Sequence, residues 1–168
     1  MLFDLCQWLE SLSWSTTIRE SLWVFPALES IHLCTMILMV VGIAAVDLRL
    51  LGIALGRQPV SQLAGRVLRV VWLSFGANAV TGSLLFVSRA KYYFYPQSES
   101  QLEINSPFLI KLLLIFLAVA FHSVVFRRTA RWDDAPPLAM PLGAKLVGSF
   151  SLLLWVGVIA VSRWIAFV

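Results

Sequence analysis

The sequence predicts an all-α protein, an integral membrane four-helix bundle with an N-terminal amphipathic interfacial helix. Of its 168 residues, 60% are hydrophobic and only 13% are charged, whereas soluble proteins average about 25% charged residues. Four long apolar runs each approach the ~20 residues that a helix needs to cross a bilayer. The chain also contains 7 Trp and 11 Phe, and aromatic residues, Trp above all, anchor helices at membrane interfaces.

Residues 2–12 are predicted to form the interfacial helix, because apolar and polar side chains recur there on opposite faces. The apolar face holds Leu2, Leu5, Leu9 and Leu12, and the polar face holds Asp4, Gln7 and Glu10. Residues 13–17 are expected to break this helix. Thr17 and Glu20 then have the spacing of a capping box before the first span.

The four spans are predicted at about residues 22–46, 70–87, 108–126 and 146–166. Pro26 lies in the first turns of the first span, and Pro107 introduces the third. No repeat and no separate soluble domain is visible in the sequence, so residues 1–168 are interpreted as a single membrane domain.

Basic residues predict the orientation of these spans. Eight of them lie in the first and third loops, against three in the N-terminal segment and the middle loop. The eight are Arg49, Arg57, Arg66, Arg69, Arg127, Arg128, Arg131 and Lys145, and the three are Arg19, Arg89 and Lys91. Because cytoplasmic loops carry the excess of Lys and Arg, we expect a multi-pass protein of the bacterial inner membrane with both termini outside.

This orientation places four ionisable side chains in the outer half of the bilayer, namely Glu29, His32, Lys111 and Arg163. Glu29 cannot reach the headgroups as easily as Lys or Arg, so we expect it to contact Lys111 or Arg163. One interpretation is a structural ion pair with snorkelling cations. The other is an outer polar pocket that binds a headgroup, quinone, substrate or cofactor.

Two further sets of residues are candidate sites. His32 and His122 could ligate one haem b iron, although the helical rise separates them in depth by about 10 Å. The other interpretation of His122 is a packed or interface histidine. Asp47 and Arg49 flank the cytoplasmic end of the first span and are predicted to form a charge clamp on Arg66 or Arg69, or a solvated helix end. No metal site is predicted, since Met36 and Met39 are more typical of core packing than of copper binding.

A stripe of small and polar residues, Ser74, Asn78 and Gly82, recurs at four-residue intervals in the second span. Such a stripe predicts a close helix contact with a hydrogen bond.

Five short motifs are spread over nearly the whole chain: IRESLW from Ile18, PALESIH from Pro26, VDLRLLG from Val46, IKLLL from Ile110 and SRWIAF from Ser162. On these motifs the chain resembles an uncharacterised family of small four-helix bacterial inner-membrane proteins. The resemblance implies the same architecture but no reaction, since the family has no established activity. It also implies that the outer four residues, Asp47 and Arg49 belong to a shared pattern, whereas His122 falls where that pattern more often has an amide.

Three functions remain open from the sequence. The leading hypothesis is a non-catalytic subunit or anchor of a redox-related partner complex, because no complete catalytic set is visible. Its expected partners are lipid and other membrane or periplasmic subunits, or further copies of the chain, and not nucleic acid. The alternatives are an electron-transfer protein that binds haem b or quinone, and a small oligomeric transporter or channel.

Overall fold

The structure is a computed structural model and describes residues 2–94, 106–136 and 139–165. The elements in these ranges are all helical, which confirms the predicted all-α class. They are α1 (Leu2–Ser11), α2 (Ser13–Glu20), α3 (Val24–Leu50), α4 (Val60–Ser88), α5 (Ala90–Phe94), α6 (Ser106–Val125), a 3-10 helix (Phe126–Trp132) and α7 (Leu142–Ile165).

Four of these helices are long and apolar enough to cross a membrane: α3, α4, α6 continued by the 3-10 helix, and α7. Their outward faces carry large apolar side chains that remain exposed, as lipid-facing surfaces require. Leu73 is 75% exposed, Phe116 69% and Leu153 69%. The predicted integral membrane four-helix bundle is therefore confirmed.

All four spanning helices extend beyond their predicted limits, with α6 beginning at Ser106 and α7 at Leu142. α3 continues to Leu50 and α4 begins at Val60, ten residues before the predicted span. Residues 60–69 contain Arg66 and Arg69, which lower the hydropathy of the segment. Its apolar residues nevertheless recur at helical spacing, and Val60 and Leu63 among them are buried. The end of the fourth predicted span at residue 166 lies outside the described residues.

The N-terminal segment differs from its prediction at residues 13–17, which form helix α2 and do not break the chain. Their hydroxyl groups bond to helix carbonyls, as Thr17 Oγ1 does to Ser13 O at 2.8 Å. Ser15 is fully buried and donates to Val87 O at 3.2 Å, which fixes α2 against α4. The amide of Val24 at the start of α3 donates to Ser21 Oγ at 3.1 Å, a role that the sequence assigned to a capping box at Thr17.

Glu10 links the N-terminal helices to the residues at the end of α4 through a hydrogen bond and ion pairs. Its carboxylate accepts a hydrogen bond from the Lys91 amide at 2.7 Å and lies 3.4 Å from Lys91 Nζ. Arg19 lies 3.8 Å from the same carboxylate and donates to Ser88 O at 3.5 Å. The interfacial helix thus sits over one end of the bundle.

Around the bundle the spanning helices follow the order α4, α3, α7, α6. The central core lies between them and includes Met39, Ile43, Ala118, Leu154 and Trp155. We call the end of the bundle that contains Val24, Ser88 and Ile165 the His32 end. The end that contains Leu50, Val60 and Leu142 is the Asp47 end, and there the 3-10 helix packs against α4.

Candidate functional sites at the two ends of the bundle

The interior of the His32 end is polar where the middle of the bundle is apolar. His32 Nδ1 lies 3.0 Å from Thr81 Oγ1. The amide of Asn78 donates to His32 O at 2.7 Å and to Thr35 Oγ1 at 3.1 Å. Gly82 leaves room for the imidazole, because a Cβ there would lie 3.0 Å from His32 Cε1. The predicted close contact along Ser74, Asn78 and Gly82 is confirmed.

Lys111 also faces this interior, while Arg163 does not. Lys111 is half-buried and shares its face of α6 with Ala118 and His122, both of them buried. Arg163 is exposed, on a side of α7 away from the buried residues Leu154 and Val158. We call Glu29, His32, Thr35, Asn78, Thr81 and Lys111 the His32 cluster.

The expected contact of Glu29 with Lys111 or Arg163 is wrong. Within the described residues Glu29 forms no hydrogen bond or salt bridge with either cation, and its side chain is exposed. The reason is helix register. The contacts of Asp47 with Ser151 and of Gly157 with Leu114 place Lys111 about two turns, on the order of 10 Å, deeper than Glu29.

Glu29 instead lies near the aromatic residues that follow α4. Burial raises the pKa of the Tyr93 phenol, the Arg89 guanidinium opposes this, and the Glu29 carboxylate adds to the rise. Tyr93 stacks on Phe108, with ring centroids 5.5 Å apart. The carboxylate of Glu29 therefore lies near the surface of the His32 end.

At the Asp47 end, three side chains from three helices form a buried hydrogen-bonded row. Ser151 Oγ lies 2.5 Å from Asp47 Oδ2 and 2.9 Å from His122 Nε2. His122 Nδ1 lies 2.7 Å from Ala118 O, one turn back on the same helix. The exposed fractions are 3% for Asp47, 1% for Ser151 and 5% for His122. We call these three side chains the Asp47 network.

The two histidines do not meet. His32 and Asp47 are fifteen residues apart on one continuous helix, a rise of about 22 Å, and His122 is at the level of Asp47. This separation excludes one haem iron bound by both side chains. Both nitrogens of His122 also have partners within the protein, so ligation by His122 would require one of these hydrogen bonds to break.

The charge clamp predicted at Asp47 and Arg49 with Arg66 or Arg69 is not formed, because Asp47 is buried against Ser151 whereas both of these arginines are exposed. Asp47 and Arg49 do not pair with each other either, since residues two apart on a helix point in nearly opposite directions. Asp47 faces α7. Arg49 is 2% exposed and faces the two loops at this end. Its guanidinium donates to Gln58 O at 2.9 Å and Ala135 O at 3.4 Å, and contacts Met140 Sδ at 3.3 Å. Both side chains are buried, so the solvated helix end is wrong as well.

Asp133, which directly follows the 3-10 helix, contacts the start of α4. Its carboxylate accepts from the Ser61 amide at 2.7 Å and from the Ser61 hydroxyl. These hydrogen bonds from Ser61 hold the pKa of the Asp133 carboxyl below its usual range. Pro59 precedes α4 and has no side-chain donor or acceptor, so Asp133 supplies the missing cap from a distant loop.

Ser151 is the member of the Asp47 network that the sequence does not predict. The weak signal for it is its spacing from Gly148 and Trp155, which puts a hydroxyl on a face of small and buried residues. No protein-family model, curated protein or solved structure matches the chain. The fold and the two sites therefore define it as a four-span membrane protein with polar groups buried at both ends.

Proposed function

We propose that this protein is a non-catalytic, membrane-embedded subunit or anchor of a larger assembly, and that the His32 cluster receives a polar group from that assembly. The observation that carries the proposal is the state of Glu29. It lies within an apolar spanning helix, its side chain is exposed, and it has no ion-pair partner among the described residues. A carboxylate on the surface of a membrane helix is costly unless something pairs with it.

Lys111 supports the same conclusion from a second helix. The Lys111 residue is half-buried in the His32 end, and its ammonium group forms no hydrogen bond or salt bridge with the rest of the described chain. The Glu29 carboxylate lies near the membrane surface, and the Lys111 ammonium group lies deeper. A matching partner would present a cationic group to Glu29 and an anionic group to Lys111. His32 offers a third contact, since the bond to Thr81 uses only its Nδ1.

The shape of the chain favours a subunit over an independent enzyme. The described loops between the spanning helices are short, and the side chains at the His32 end do not form a nucleophile, base and orienting-group set. An assembly partner would supply what four spans and short loops do not contain.

Site-specific cross-linking in the native membrane tests this proposal. A photo-cross-linking residue is placed at Leu33, which is 48% exposed and lies one turn from Glu29. The same residue at Leu146, 61% exposed at the opposite end of the bundle, is the position control. We expect one protein adduct of fixed mass at Leu33 and none of that mass at Leu146.

The Glu29→Gln variant then shows whether the charge matters. Because losing one partner of a desolvated charge pair costs about 2–5 kcal/mol, we expect the Leu33 adduct to fall about tenfold or more. Glu20→Gln, at an exposed glutamate outside the spanning helices, should leave the yield unchanged. Lipid adducts alone at Leu33, or a protein adduct that Glu29→Gln does not weaken, would overturn the proposal.

A further inference from the structure

We infer that Asp47, Ser151 and His122 form a proton-binding site inside the bundle, which holds one proton shared between a carboxyl group and an imidazole. This site lies about 22 Å from His32 along α3. It does not rest on the proposed function.

His122 Nδ1 sets the first constraint on where the protons lie. This nitrogen lies 2.7 Å from the carbonyl oxygen of Ala118, and a carbonyl oxygen can only accept a hydrogen bond. Nδ1 must therefore carry a hydrogen. The remaining question is how protons are distributed over Nε2, the Ser151 hydroxyl and the Asp47 carboxyl group, which make the other two contacts.

Two distributions satisfy every contact in the row. In the first, His122 is an imidazolium, its Nε2–H donates to Ser151 Oγ, and the Ser151 hydroxyl donates to the Asp47 carboxylate. In the second, the protonated Asp47 carboxyl donates to Ser151 Oγ, and the Ser151 hydroxyl donates to neutral His122 Nε2. Both contain the same number of protons, and each leaves the network with no net charge.

The two distributions interconvert by moving two protons along existing hydrogen bonds. The bond from Asp47 Oδ2 to hydrogen breaks as a new O–H bond forms at Ser151 Oγ. The original Ser151 O–H bond breaks as an N–H bond forms at His122 Nε2. Ser151 ends with one proton, as it began, and no side chain has to rotate.

Without the shared proton the network cannot be satisfied. The single hydroxyl proton of Ser151 would then lie between two acceptors, Asp47 Oδ2 and His122 Nε2, and could bond to only one. The other acceptor would be buried without a donor, and the Asp47 carboxylate would keep an uncompensated charge, both costly in an apolar interior. The geometry therefore favours uptake of one proton.

No other charged group in the described part of the chain pairs with the Asp47 carboxylate in place of the shared proton. The surrounding helices carry further cations, but none forms a hydrogen bond or salt bridge with the three side chains. Arg49 faces the loops. The others are Arg66 and Arg69 on α4, Lys111 on α6, Arg127, Arg128 and Arg131 on the 3-10 helix, and Lys145 and Arg163 on α7.

Counting the proton directly tests the inference. The full chain is studied in lipid nanodiscs at pH 7, with 15N-histidine NMR reporting the protonation of His122 and infrared difference spectroscopy reporting that of Asp47. We expect the imidazolium fraction of His122 and the protonated fraction of Asp47 to sum to about one proton. A carboxylate together with a neutral imidazole at pH 7, a sum near zero, would overturn the inference.

Variants separate proton binding from mere packing. Asp47→Asn places an amide donor where the protonated carboxyl would be, so the row of hydrogen bonds is kept with His122 neutral. We expect this variant to fold and to lose the His122 imidazolium signal. Ser151→Ala interrupts the row and should uncouple the two groups, so that His122 no longer responds to Asp47→Asn.

The matched control is Ser162→Ala on the same helix, because Ser162 donates only to Val158 O in its own helix, at 2.6 Å. It should leave the His122 spectrum as in the wild type. A His122 signal that is the same in the wild type and in folded Asp47→Asn protein, with Asp47 ionised in the wild type, would also contradict the proposal.

Discussion

At the scale of single residues, Gly148 is where α7 meets the backbone of α3. A Cβ at this position would lie 2.9 Å from Asp47 O and 3.2 Å from Leu50 Cβ. Because the nearer atom belongs to a helix backbone, the two helices must separate to admit a methyl group. We expect Gly148→Ala to destabilise the fold by about 1–3 kcal/mol, measured as a lower thermal midpoint in detergent micelles.

Gly157 on the same helix is the control. A Cβ there would lie 3.5 Å from Leu114 Cδ1, which is ordinary van der Waals contact. Gly157→Ala should therefore leave the midpoint unchanged or raise it, since alanine is favoured over glycine in a helix by up to about 1 kcal/mol. Equal destabilisation by both variants would contradict the role given to Gly148.

A second prediction at this scale concerns Arg49, whose planar guanidinium joins Gln58 in one loop to Ala135 in the other. A lysine at this position cannot direct donors to both carbonyls at once. We expect Arg49→Lys to cost about 2–3 kcal/mol, since hydrogen bonds to charged groups contribute about 1.5–3 kcal/mol each. Thermal unfolding of Arg57→Lys, at an exposed arginine, provides the comparison.

A thermal midpoint as high in Arg49→Lys as in Arg57→Lys would show that the guanidinium of Arg49 is not needed to hold the two loops together.

The polar residues of both sites differ in how far the sequence predicts them. Glu29, His32, Lys111 and Asp47 stand out because ionisable groups are costly inside apolar helices. Ser151 does not stand out, because serine in such a helix commonly donates to its own backbone, as Ser123 does to Val119 O at 2.8 Å. Which partner a serine chooses depends on how the helices are rotated against each other, and one sequence does not contain that information.

At the scale of secondary-structure elements, α4 depends on a cap from outside its own segment. The Asp133 carboxylate accepts from the Ser61 amide at 2.7 Å. Loss of a helix cap costs about 0.5–2 kcal/mol, so we expect Asp133→Ala to lower the thermal midpoint by a corresponding amount. Asp134→Ala removes an exposed neighbouring carboxylate and should have little effect. Equal thermal midpoints for Asp133→Ala and Asp134→Ala would contradict this prediction.

The pH dependence of this cap has a definite sign. Because the pKa of Asp133 is lowered in the folded state, its contribution is complete above the unfolded pKa of about 3.9 and is lost as the pH falls through the folded value. The difference in midpoint between the wild type and Asp133→Ala should therefore shrink under acidic conditions.

The helices themselves were largely predictable, but their ends were not. Apolar runs reveal the four spans because a bilayer requires them. The first ten residues of α4 were missed because Arg66 and Arg69 face outward there, while Val60 and Leu63 are buried. An amphipathic extension of this kind follows from packing against neighbours that a hydropathy profile does not contain.

At the scale of the whole molecule, the distribution of cations predicts which end faces the cytoplasm. Seven exposed or half-buried basic residues lie near the Asp47 end, at positions 57, 66, 69, 127, 128, 131 and 145. We expect this end to be cytoplasmic. In a background without native cysteines, a membrane-impermeant maleimide should label Gln7→Cys in intact spheroplasts and Arg57→Cys only after permeabilisation. The reverse labelling would contradict this orientation.

The Asp47 network leads to a second prediction for the molecule as a whole. If the folded state keeps one shared proton, its proton count stays constant through neutral pH. In the unfolded chain Asp47 ionises near pH 3.9 and His122 near pH 6.5. Above about pH 6.5 the folded state then binds more protons than the unfolded state, so the free energy of unfolding must fall as the pH rises.

Between about pH 4.5 and 6 both states hold one proton at these two sites, so the network contributes no slope there. We expect the wild-type thermal midpoint to fall between about pH 6.5 and 8, and the Asp47→Asn midpoint to fall less, because its network is satisfied with His122 neutral. Unfolding followed by circular dichroism at fixed ionic strength makes the comparison. Parallel curves of thermal midpoint against pH for the wild type and Asp47→Asn would mean that the folded network holds no more protons than the unfolded chain. The three side chains would then serve only to join the helices.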